Sequence, residues 1–568
     1  MRCRHPNGSS LPEAGNLHHQ TAVRLDLANR RRLPLASRFN HEHPSGPMAA
    51  KGPDRDRPPG RRVGVSRRHS SPCHTMKPSI RIRLSVMMFL EYVIWASWYV
   101  TMGRYLENVL NFSKEQIGLV YNTTAVAAII SPIFVGMVAD RFFSTEKVLC
   151  AAHLLGGAFA LLLTRVETFG VFYAVLLAHT LCYMPTLALT NSISFHQMKD
   201  PSKEFPSIRV LGTISWIVTV WGIGQLAQTD ALKEFDVRTP APFAIAGVAS
   251  ILLAFYSLTL PHTPPKAKGQ KVSLWDVLGL DALRMLREPS FAVFILSAFL
   301  ICIPLSFYFS LAPICFGDLG LPNATGATSY GQMSEIFFML VMPWFFARLG
   351  VKWMLGVGML SWGLRYLLFL LGYESGAFWP LYVGIVLHGI CYDFFFVTAY
   401  IYTDQKAPEA MRAKAQGFIA LVTLGLGMLA GTTLSGKVSG WYSFPAVTPE
   451  KSKPVADASA WVPGNYVMWR ADGETRFGAL EALPETNAGE TARVRVYVPA
   501  GDRGYEPGEE VLEVPLNALE KPLPRWDSIW KIAAYGALAV LMLFVAVFRE
   551  PKAKTAEPAA PTADATTT

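Results

Sequence analysis

The stretch FAVFILSAFLICIPLSFYFSLAPICF, residues 291–316, contains 26 consecutive residues without a charged side chain. A helix needs about 20 mostly apolar residues to cross the hydrocarbon core of a bilayer. This stretch therefore predicts a transmembrane helix, and eleven further apolar stretches predict others. In chain order, the predicted spans 1 to 12 are Leu84–Leu106, Gln116–Val138, Val148–Leu163, Gly170–Phe195, Ser207–Gln225, Pro242–Leu260, Phe291–Phe316, Ser329–Phe346, Trp353–Leu371, Trp379–Tyr402, Gln416–Gly436 and Ile529–Phe548.

The composition supports an all-α membrane protein, because 51% of the 568 residues are hydrophobic and only 17% are charged. The net charge of +10 comes mostly from residues 1–75, which hold 14 Lys or Arg against 5 Asp or Glu. The body of the chain therefore gives no indication of nucleic-acid binding. We favour translation starting at Met76 over a regulatory or nucleic-acid-binding arm, since the tail lacks the apolar core of a signal peptide.

Positive charges are distributed unevenly between the connections. Seventeen Lys or Arg residues lie in the predicted inner connections and the C-terminal flank, against five in the short outer connections. Because cytoplasmic loops carry an excess of Lys and Arg, both termini are predicted to be cytoplasmic and the chain to cross the cell inner (cytoplasmic) membrane repeatedly.

The spans divide into two six-helix bundles. The predicted parts are a disordered basic tail over 1–75, an N-terminal six-helix bundle over 76–262, a cytoplasmic linker with an amphipathic helix over 263–290, five helices of the C-terminal bundle over 291–437, an outer insertion over 438–527, the twelfth helix over 528–548 and a disordered tail over 549–568. Alternating ARVRVYV (492–498) and EEVLEVPL (509–516) predict that the insertion is β-rich. A loosely ordered loop is the alternative.

Ionisable side chains inside the apolar spans are the first functional candidates, because a charge at mid-membrane costs at least about 2.5 to 3.5 kcal/mol. The stretch LHGICYDFFF, residues 387–396, places His388 and Asp393 among apolar and aromatic residues. Glu91, Arg209, Glu335 and Arg365, with His153 and His179, complete this set. A structural ion pair within the bundle is the alternative for Arg365 and for Glu91.

Helical spacing groups several polar side chains on common faces. Residues three, four and seven apart share one face of a helix. These faces could hydrogen-bond and stack against a polar, ring-bearing solute. They consist of Arg209, Thr213 and Trp216 in span 5, Gln332 and Glu335 in span 8, and His388 and Tyr392 in span 10.

The stretch GMVADRFFSTEK, residues 136–147, resembles the loop motif between the second and third helices of the major facilitator superfamily. Gly136, Asp140 and Arg141 match that gating motif, although the second glycine of the motif is missing. A weaker copy, FFARLGVK, follows span 8, as a repeat of six-helix halves implies.

The segments IWASWYVTMG, CYMPTLALTNSISF, FPSIRVLGTISW, GQMSEIFF, YDFFF and MRAKAQGF resemble the nucleoside:proton symporters of that superfamily, in the same order. The resemblance covers Met76 to Phe548 except the insertion. It implies a secondary active transporter that takes up nucleosides with protons by alternating access, acts as a monomer and needs no cofactor or metal.

The resemblance also assigns roles to the polar residues of the spans. It implies nucleoside contacts at Arg209, Thr213, Trp216, Gln332, Glu335, His388, Tyr392 and Asp393. Because a desolvated carboxylic acid can bind and release a proton near neutral pH, we expect Glu335 and Asp393 to be the proton-coupling pair, with Arg209 as the cationic partner of one of them. The sequence departs from the family at several of these positions. His388 stands where an aromatic hydroxyl is expected and Tyr392 where a phenyl is expected, while Leu305 and Tyr308 replace two amides that read the base.

Other functions were weighed against this one. A different small polar solute, a sugar or a nucleobase, is the main alternative and would fit the Leu305 and Tyr308 departures. ATP-driven transport and a membrane enzyme lack their motifs, since no GxxxxGK[ST] loop or HExxH occurs. A sensor that binds without transport is a further alternative.

Asp393 is offset from His388 by five residues, which is about 500° around a helix. This offset favours Asp393 as a proton carrier over Asp393 as a direct solute ligand.

Overall fold

The computed structural model describes residues 76–135, 142–198, 204–232, 235–265, 275, 278–455, 461–484 and 491–549. Three predicted features lie outside this part of the chain. They are the basic tail over 1–75, the gating motif at Gly136, Asp140 and Arg141, and the C-terminal tail from residue 550. Of the predicted linker helix, residues 266–274 and 276–277 also lie outside it.

The described residues are mostly helical. Ten helices are long and apolar enough to cross a membrane, and Ala241–Ser257 is a shorter apolar helix. Pro residues occupy the first turn of the helices of spans 1, 5 and 7, where the missing N–H costs nothing. The long helices are Pro78–Asn108, Lys114–Phe134, Thr145–Leu163, Phe169–His196, Pro206–Leu226, Pro289–Asp318, Ala324–Ser375, Trp379–Lys406, Lys414–Trp441 and Trp526–Val547.

Spans 8 and 9 are joined without a loop, which the sequence does not reveal. A single helical run covers Ser329–Ser375, but Gly350 interrupts it with a φ of 65° and a ψ of 177°. This is a left-handed φ that side chains other than glycine rarely adopt. Gly350 therefore separates the two helical segments that correspond to spans 8 and 9.

The two halves of the chain are in close contact at one end of the bundle. A Cβ atom on Gly118 would lie 2.7 Å from both the Gly436 Cα and the Thr432 carbonyl oxygen. Nearby, Asn122 Nδ2 donates to Thr433 Oγ1 at 2.8 Å. Spans 2 and 11 therefore touch backbone to backbone, because glycines face each other there.

A second close contact joins span 5 to the start of the helix of span 8. A Cβ atom on Gly224 would lie 2.5 Å from the Gly326 nitrogen. Thr325 Oγ1 donates to Asp236 Oδ2 at 2.6 Å, close to the same point. Gly118 lies near the start of span 2 and Gly224 near the end of span 5, so both contacts lie at the end predicted to face outward.

A six-stranded antiparallel sheet lies between the last two helices. Its strands are β1 Ser452–Pro454, β2 Tyr466–Ala471, β3 Glu474–Ala482, β4 Thr491–Pro499, β5 Tyr505–Pro515 and β6 Glu520–Pro522. Their order is β1-β6-β2-β3-β4-β5, and all pairs are antiparallel. The two alternating stretches of the sequence form β4 and β5.

The sheet has a hydrophobic core of its own. Val467, Trp469 and Leu480 are buried with Val494, whereas the neighbouring Arg495 is partly exposed, as alternation along a strand requires. Asp472 and Gly473 both have positive φ, 53° and 82°, and form the tight turn between β2 and β3. The insertion therefore has regular structure in its described residues.

Two predicted boundaries and one predicted helix differ in the structure. The helix of span 11 continues to Trp441, so the insertion begins after residue 438, since no strong helix breaker precedes that point. The last helix begins at Trp526. In the linker, Leu280–Arg287 forms a 3-10 helix, where the sequence predicted part of an amphipathic α-helix.

Candidate functional site between the two halves

Spans 8 and 10 are held side by side at a glycine. A Cβ atom on Gly389 would lie 2.6 Å from the backbone carbon and oxygen of Ser334. The Ser334 hydroxyl donates to the Val386 carbonyl at 2.7 Å and accepts from the Gly389 nitrogen at 3.0 Å. This contact brings Glu335, the next residue of span 8, against the part of span 10 that carries His388 and Asp393.

Asp393 is fully buried, and neither of its carboxylate oxygens has a hydrogen-bond partner among the described residues. It begins a π-helical segment, Asp393–Val397, an element that is frequent at functional sites. Glu335 is close enough to interact with it electrostatically. A buried carboxylate without donors is costly in its ionised form, and binding a proton removes that cost.

Arg209 is the cation that faces this group from the first half. Its guanidinium carbon lies 4.6 Å from the centre of the Tyr92 ring. Arg209 interacts electrostatically with Glu335 and with Tyr392, both in the second half. Arg209 is therefore within electrostatic range of Glu335 and Tyr392, and Glu335 is within range of Asp393, which defines a group of four side chains across the two halves.

Aromatic rings continue the site along span 1. Trp216 packs edge-on against Trp95, with ring centres 5.6 Å apart, and lies 6.4 Å from Tyr99. Tyr99 in turn contacts Phe309 of span 7 at 5.8 Å, which joins the halves through aromatic surfaces. Trp95 and Tyr99 were not predicted as site residues, although their spacing of four residues places them on one helical face.

The remaining predicted positions occupy the same region. His388 is buried and packs on Tyr392 with ring centres 5.7 Å apart. Gln332 is buried, and its carbonyl oxygen Oε1 has no partner among the described residues. Thr213 is half-buried on the same helix as Arg209.

Glu91 differs from Asp393 because both of its carboxylate oxygens have a close polar neighbour inside the first half. Its Oε2 lies 3.0 Å from His153 Nε2, and its Oε1 accepts from Thr186 Oγ1 at 2.7 Å. The other ring nitrogen of His153 contacts the Ser250 hydroxyl at 3.3 Å. This network ties spans 1, 3, 4 and 6 together, so the geometry supports a structural role for Glu91.

Arg365 is fully buried and forms no ion pair with a carboxylate in the part of the chain that the structure describes. Its guanidinium carbon stacks 3.3 Å from the centre of the Tyr308 ring. Its Nη1 atom lies 3.1 Å from Nδ1 of His388. The structural ion pair considered for Arg365 is therefore replaced by a cation stacked on an aromatic ring.

Apolar helices in two halves, with an unpaired carboxylate, a cation and aromatic rings gathered between them, define a secondary membrane transporter. The profile of the family described as "Nucleoside H+ symporter" matches residues 78–451. The chain therefore belongs to the nucleoside H+ symporter family.

Individual relatives agree with this assignment. YegT, a candidate nucleoside transporter of Escherichia coli (strain K12), is 44% identical over 356 residues, which are 62% of this chain and 83% of YegT. The xanthosine permease of the same organism is 32% identical over 385 residues, 65% of this chain and 90% of the permease. The crystal structure of the nucleoside transporter NupG superposes with a TM-score of 0.62 at 24% identity, covers 83% of this chain and 100% of NupG, and shows the same fold.

Proposed function

We propose that this chain carries nucleosides into the cell together with protons, by alternating access to a site between two six-helix halves. The observation that carries the proposal is the cross-half cluster of Arg209, Glu335 and Tyr392 beside the unpartnered Asp393. Membership of the nucleoside H+ symporter family supports the solute class and does not favour the sugar or nucleobase alternative.

The membrane arrangement in this proposal has twelve crossings. The number combines the ten long helices with the shorter helix Ala241–Ser257 and counts the helical run that Gly350 divides as two crossings. The distribution of Lys and Arg favours cytoplasmic termini. The sheet then lies on the outer side, and the two halves touch at their outer ends, so the structure corresponds to a state closed to the outside.

The solute in this proposal lies against both halves. Arg209 and Thr213 offer donors, Gln332 offers an amide, and Trp216 and Tyr392 offer flat surfaces for a base or a ribose. Glu335 and His388 complete the set. Binding that draws the two halves together would occlude the solute, as alternating access requires.

Protons in this proposal are carried by Glu335 and Asp393. A neutral Asp393 fits its buried surroundings, whereas an ionised Asp393 needs water or a cation. Arg209 interacts with Glu335 and supplies the cation for the empty site. The gating motif of Gly136, Asp140 and Arg141 and the monomeric state remain predictions within the same proposal.

The experiment is Asp393→Asn in proteoliposomes, with an imposed proton gradient and radiolabelled uridine. The amide is uncharged and cannot release a proton, so concentrative uptake should be lost while exchange of uridine across the membrane is partly retained. The matched control is Asp404→Asn, a partly exposed acid further along the same helix, which should transport normally. Undiminished acid-driven uptake by Asp393→Asn would refute the role of Asp393.

The alternative solutes are tested in the same vesicles. Unlabelled nucleosides, nucleobases and sugars compete with labelled uridine, and the proposal expects nucleosides to compete most strongly. A sugar or a free base that competes better than any nucleoside would replace the proposed solute class.

A further inference from the structure

Arg365 has hydrogen-bonding capacity that the fold does not use. Its Nε and Nη2 atoms are buried and form no well-aligned hydrogen bond with the described residues, although the Tyr308 hydroxyl and the Cys391 thiol lie within reach of the guanidinium. A buried cation without an anion is costly. The stacking on Tyr308 at 3.3 Å offsets part of that cost, and the poorly aligned donors can turn to a ligand that accepts hydrogen bonds better.

The contact between Arg365 and His388 fixes the protonation of the imidazole. A guanidinium only donates hydrogen bonds, so Nδ1 of His388 at 3.1 Å from Arg365 Nη1 must accept one. The ring proton of His388 is therefore on Nε2. In a doubly protonated ring, the N–H at Nδ1 would face the N–H of Arg365, and a second positive charge would lie beside the guanidinium. His388 is therefore a neutral donor rather than a proton carrier.

These three side chains adjoin the surface where the halves meet. The His388 ring lies 5.3 Å from the Tyr308 ring and 6.3 Å from Phe309. Phe309 contacts Tyr99 of the first half at 5.8 Å. Tyr308 also lies 5.3 Å from Phe309, so a solute held between the halves would lie close to both His388 and Tyr308, with Arg365 stacked on the Tyr308 ring.

We infer that Arg365, Tyr308 and His388 form a donor group that selects nucleosides whose bases present carbonyl oxygens over those that present amino groups. Arg365 only donates, the remaining ring nitrogen of His388, Nε2, carries a proton and also donates, and a forked guanidinium suits a pair of acceptors. An amino group of a base placed there would point its N–H groups at the N–H groups of Arg365 and His388 and leave those buried donors without an acceptor. Polar sites reject solutes of nearly the same shape in this way. This inference rests on the proposed transport of nucleosides.

The test uses two pairs of competitors that each differ by one oxo-for-amino exchange, uridine with cytidine and inosine with adenosine. The oxo member should inhibit uptake of labelled uridine at a concentration at least about tenfold lower than the amino member. Tyr308→Phe should reduce that ratio about three- to tenfold by removing one donor. Tyr373→Phe is the matched control, because its hydroxyl also lacks a partner but lies at the far end of span 9.

Equal inhibition by oxo and amino members, or an unchanged ratio in Tyr308→Phe, would overturn the inference while leaving nucleoside transport intact. Arg365→Lys keeps the charge but not the fork, and should lower the ratio as well. Failure of the proposed function would look different, since no nucleoside would then drive or inhibit proton-coupled uptake.

A second, independent observation concerns the sheet. Lys521 in β6 lies 2.9 Å from Glu107 Oε1 and 3.4 Å from Asp318 Oδ1. Glu107 ends the first helix of the first half, and Asp318 ends the helix of span 7 in the second half. One cation from the insertion therefore bridges the two halves of the transporter.

Other contacts attach the sheet region to both sides of the same junction. Asn111 of the first half donates to the Pro463 carbonyl at 3.0 Å and also contacts the side chain of Asn465. Lys453 donates to the Gly317 carbonyl of the second half at 2.7 Å. The family match ends at residue 451, so these contacts come from a part of the chain outside the matched region.

The geometry also points to a conformational role, in which the sheet is a latch that holds the outer end of the transporter closed. The sheet is joined covalently to the second half on both sides. Opening the outer end would therefore separate Glu107 and Asn111 from the sheet, and Lys521 would lose one of its two carboxylates. Closure is stabilised by contacts that outward opening must break.

The test replaces Asn111 and Asn465 by cysteine and treats vesicles with a short, reversible bis-methanethiosulfonate cross-linker. If the sheet is a latch, cross-linking abolishes uridine uptake and a reductant restores it. The restored uptake also shows that the variant is folded. The two single-cysteine variants, treated identically, control for the native thiols. Unchanged uptake in fully cross-linked protein would overturn the latch.

Discussion

Gly118→Ala should hinder closure of the outer end, because the new methyl group has no space in the closed state. Its carbon would lie 2.7 Å from the Gly436 Cα and from the Thr432 carbonyl oxygen. Carbon atoms in contact are about 3.5 to 4.0 Å apart. Spans 2 and 11 would therefore have to separate by about 1 Å, and both obstructing groups are backbone atoms that cannot rotate away.

The magnitude follows from the usual cost of overpacking. Inserting a methyl group into a close-packed contact costs about 1 to 3 kcal/mol. Since every 1.4 kcal/mol is a factor of ten in an equilibrium constant, the outward-closed state should lose about 5- to 150-fold in relative population. The outward-open state has no such contact, so we expect the equilibrium to move toward it.

The assay compares Gly118→Ala with Gly222→Ala, another glycine-to-alanine change within a helix of the same half. A Cβ atom on Gly222 would meet nothing within 4 Å, so this control carries the change in helix propensity without the clash. Uptake of labelled uridine should fall in Gly118→Ala and not in the control. A membrane-impermeant thiol reagent should also label a cysteine at Thr433 faster in the Gly118→Ala background. Equal uptake and equal labelling in the two variants would refute the reasoning.

Three further outcomes are expected. Gly389→Ala should reduce uptake more than tenfold, because the new methyl group would push spans 8 and 10 apart. Gly417→Ala is the control, since a Cβ atom there has open space around it, and it should not reduce uptake. Both variants are compared at equal expression in the membrane. His153→Phe should destabilise the folded protein by about 1 to 3 kcal/mol, because Glu91 Oε2 would lose its polar neighbour at 3.0 Å while Thr186 still donates to Oε1. Thermal unfolding in detergent measures this loss. Burial alone would lower the pKa of Lys521, but the two carboxylates that it bridges outweigh burial and raise it. The Lys521 charge is therefore fully present below the unfolded pKa of about 10.4 and is lost as the pH rises through the raised folded pKa, while the two carboxylates lose their charge only on protonation in acid. Between pH 5 and 8, the pH profile of uptake in Lys521→Met should parallel that of the unaltered protein.

The apolar helices could be predicted from the sequence because length and hydropathy alone decide whether a segment fits the bilayer. The break at Gly350 could not, since a positive φ leaves no mark in composition beyond one glycine among many. The strands β4 and β5 were predictable from alternation, whereas the contacts of Lys521 were not. They join residues about 200 and 400 positions apart in the chain, and local pattern has no information about such pairs.

The candidate site shows the same division. Helical spacing predicted that His388 and Tyr392 share a face, and their rings pack together at 5.7 Å. The stacking of Arg365 on Tyr308 depends on how spans 7 and 9 cross. Periodicity within a single helix does not predict how two helices cross. The sequence alone therefore left two roles open for Arg365, a structural ion pair and a functional group.

Asp393 and Arg365 are both buried in the second half, carry opposite charges and do not pair with each other. Between them lies His388, which accepts from Arg365 and is offset from Asp393 along span 10. A direct ion pair between Asp393 and Arg365 would satisfy both side chains. The carboxylate would then be occupied and could not take up a proton, and the guanidinium could not bind a solute. Because the fold keeps the two charges apart, the proposed proton binding at Asp393 and the proposed solute binding at Arg365 do not compete with an ion pair between them. In the proposed mechanism, the cost of two unpaired buried groups is the physical basis on which proton and nucleoside binding are coupled.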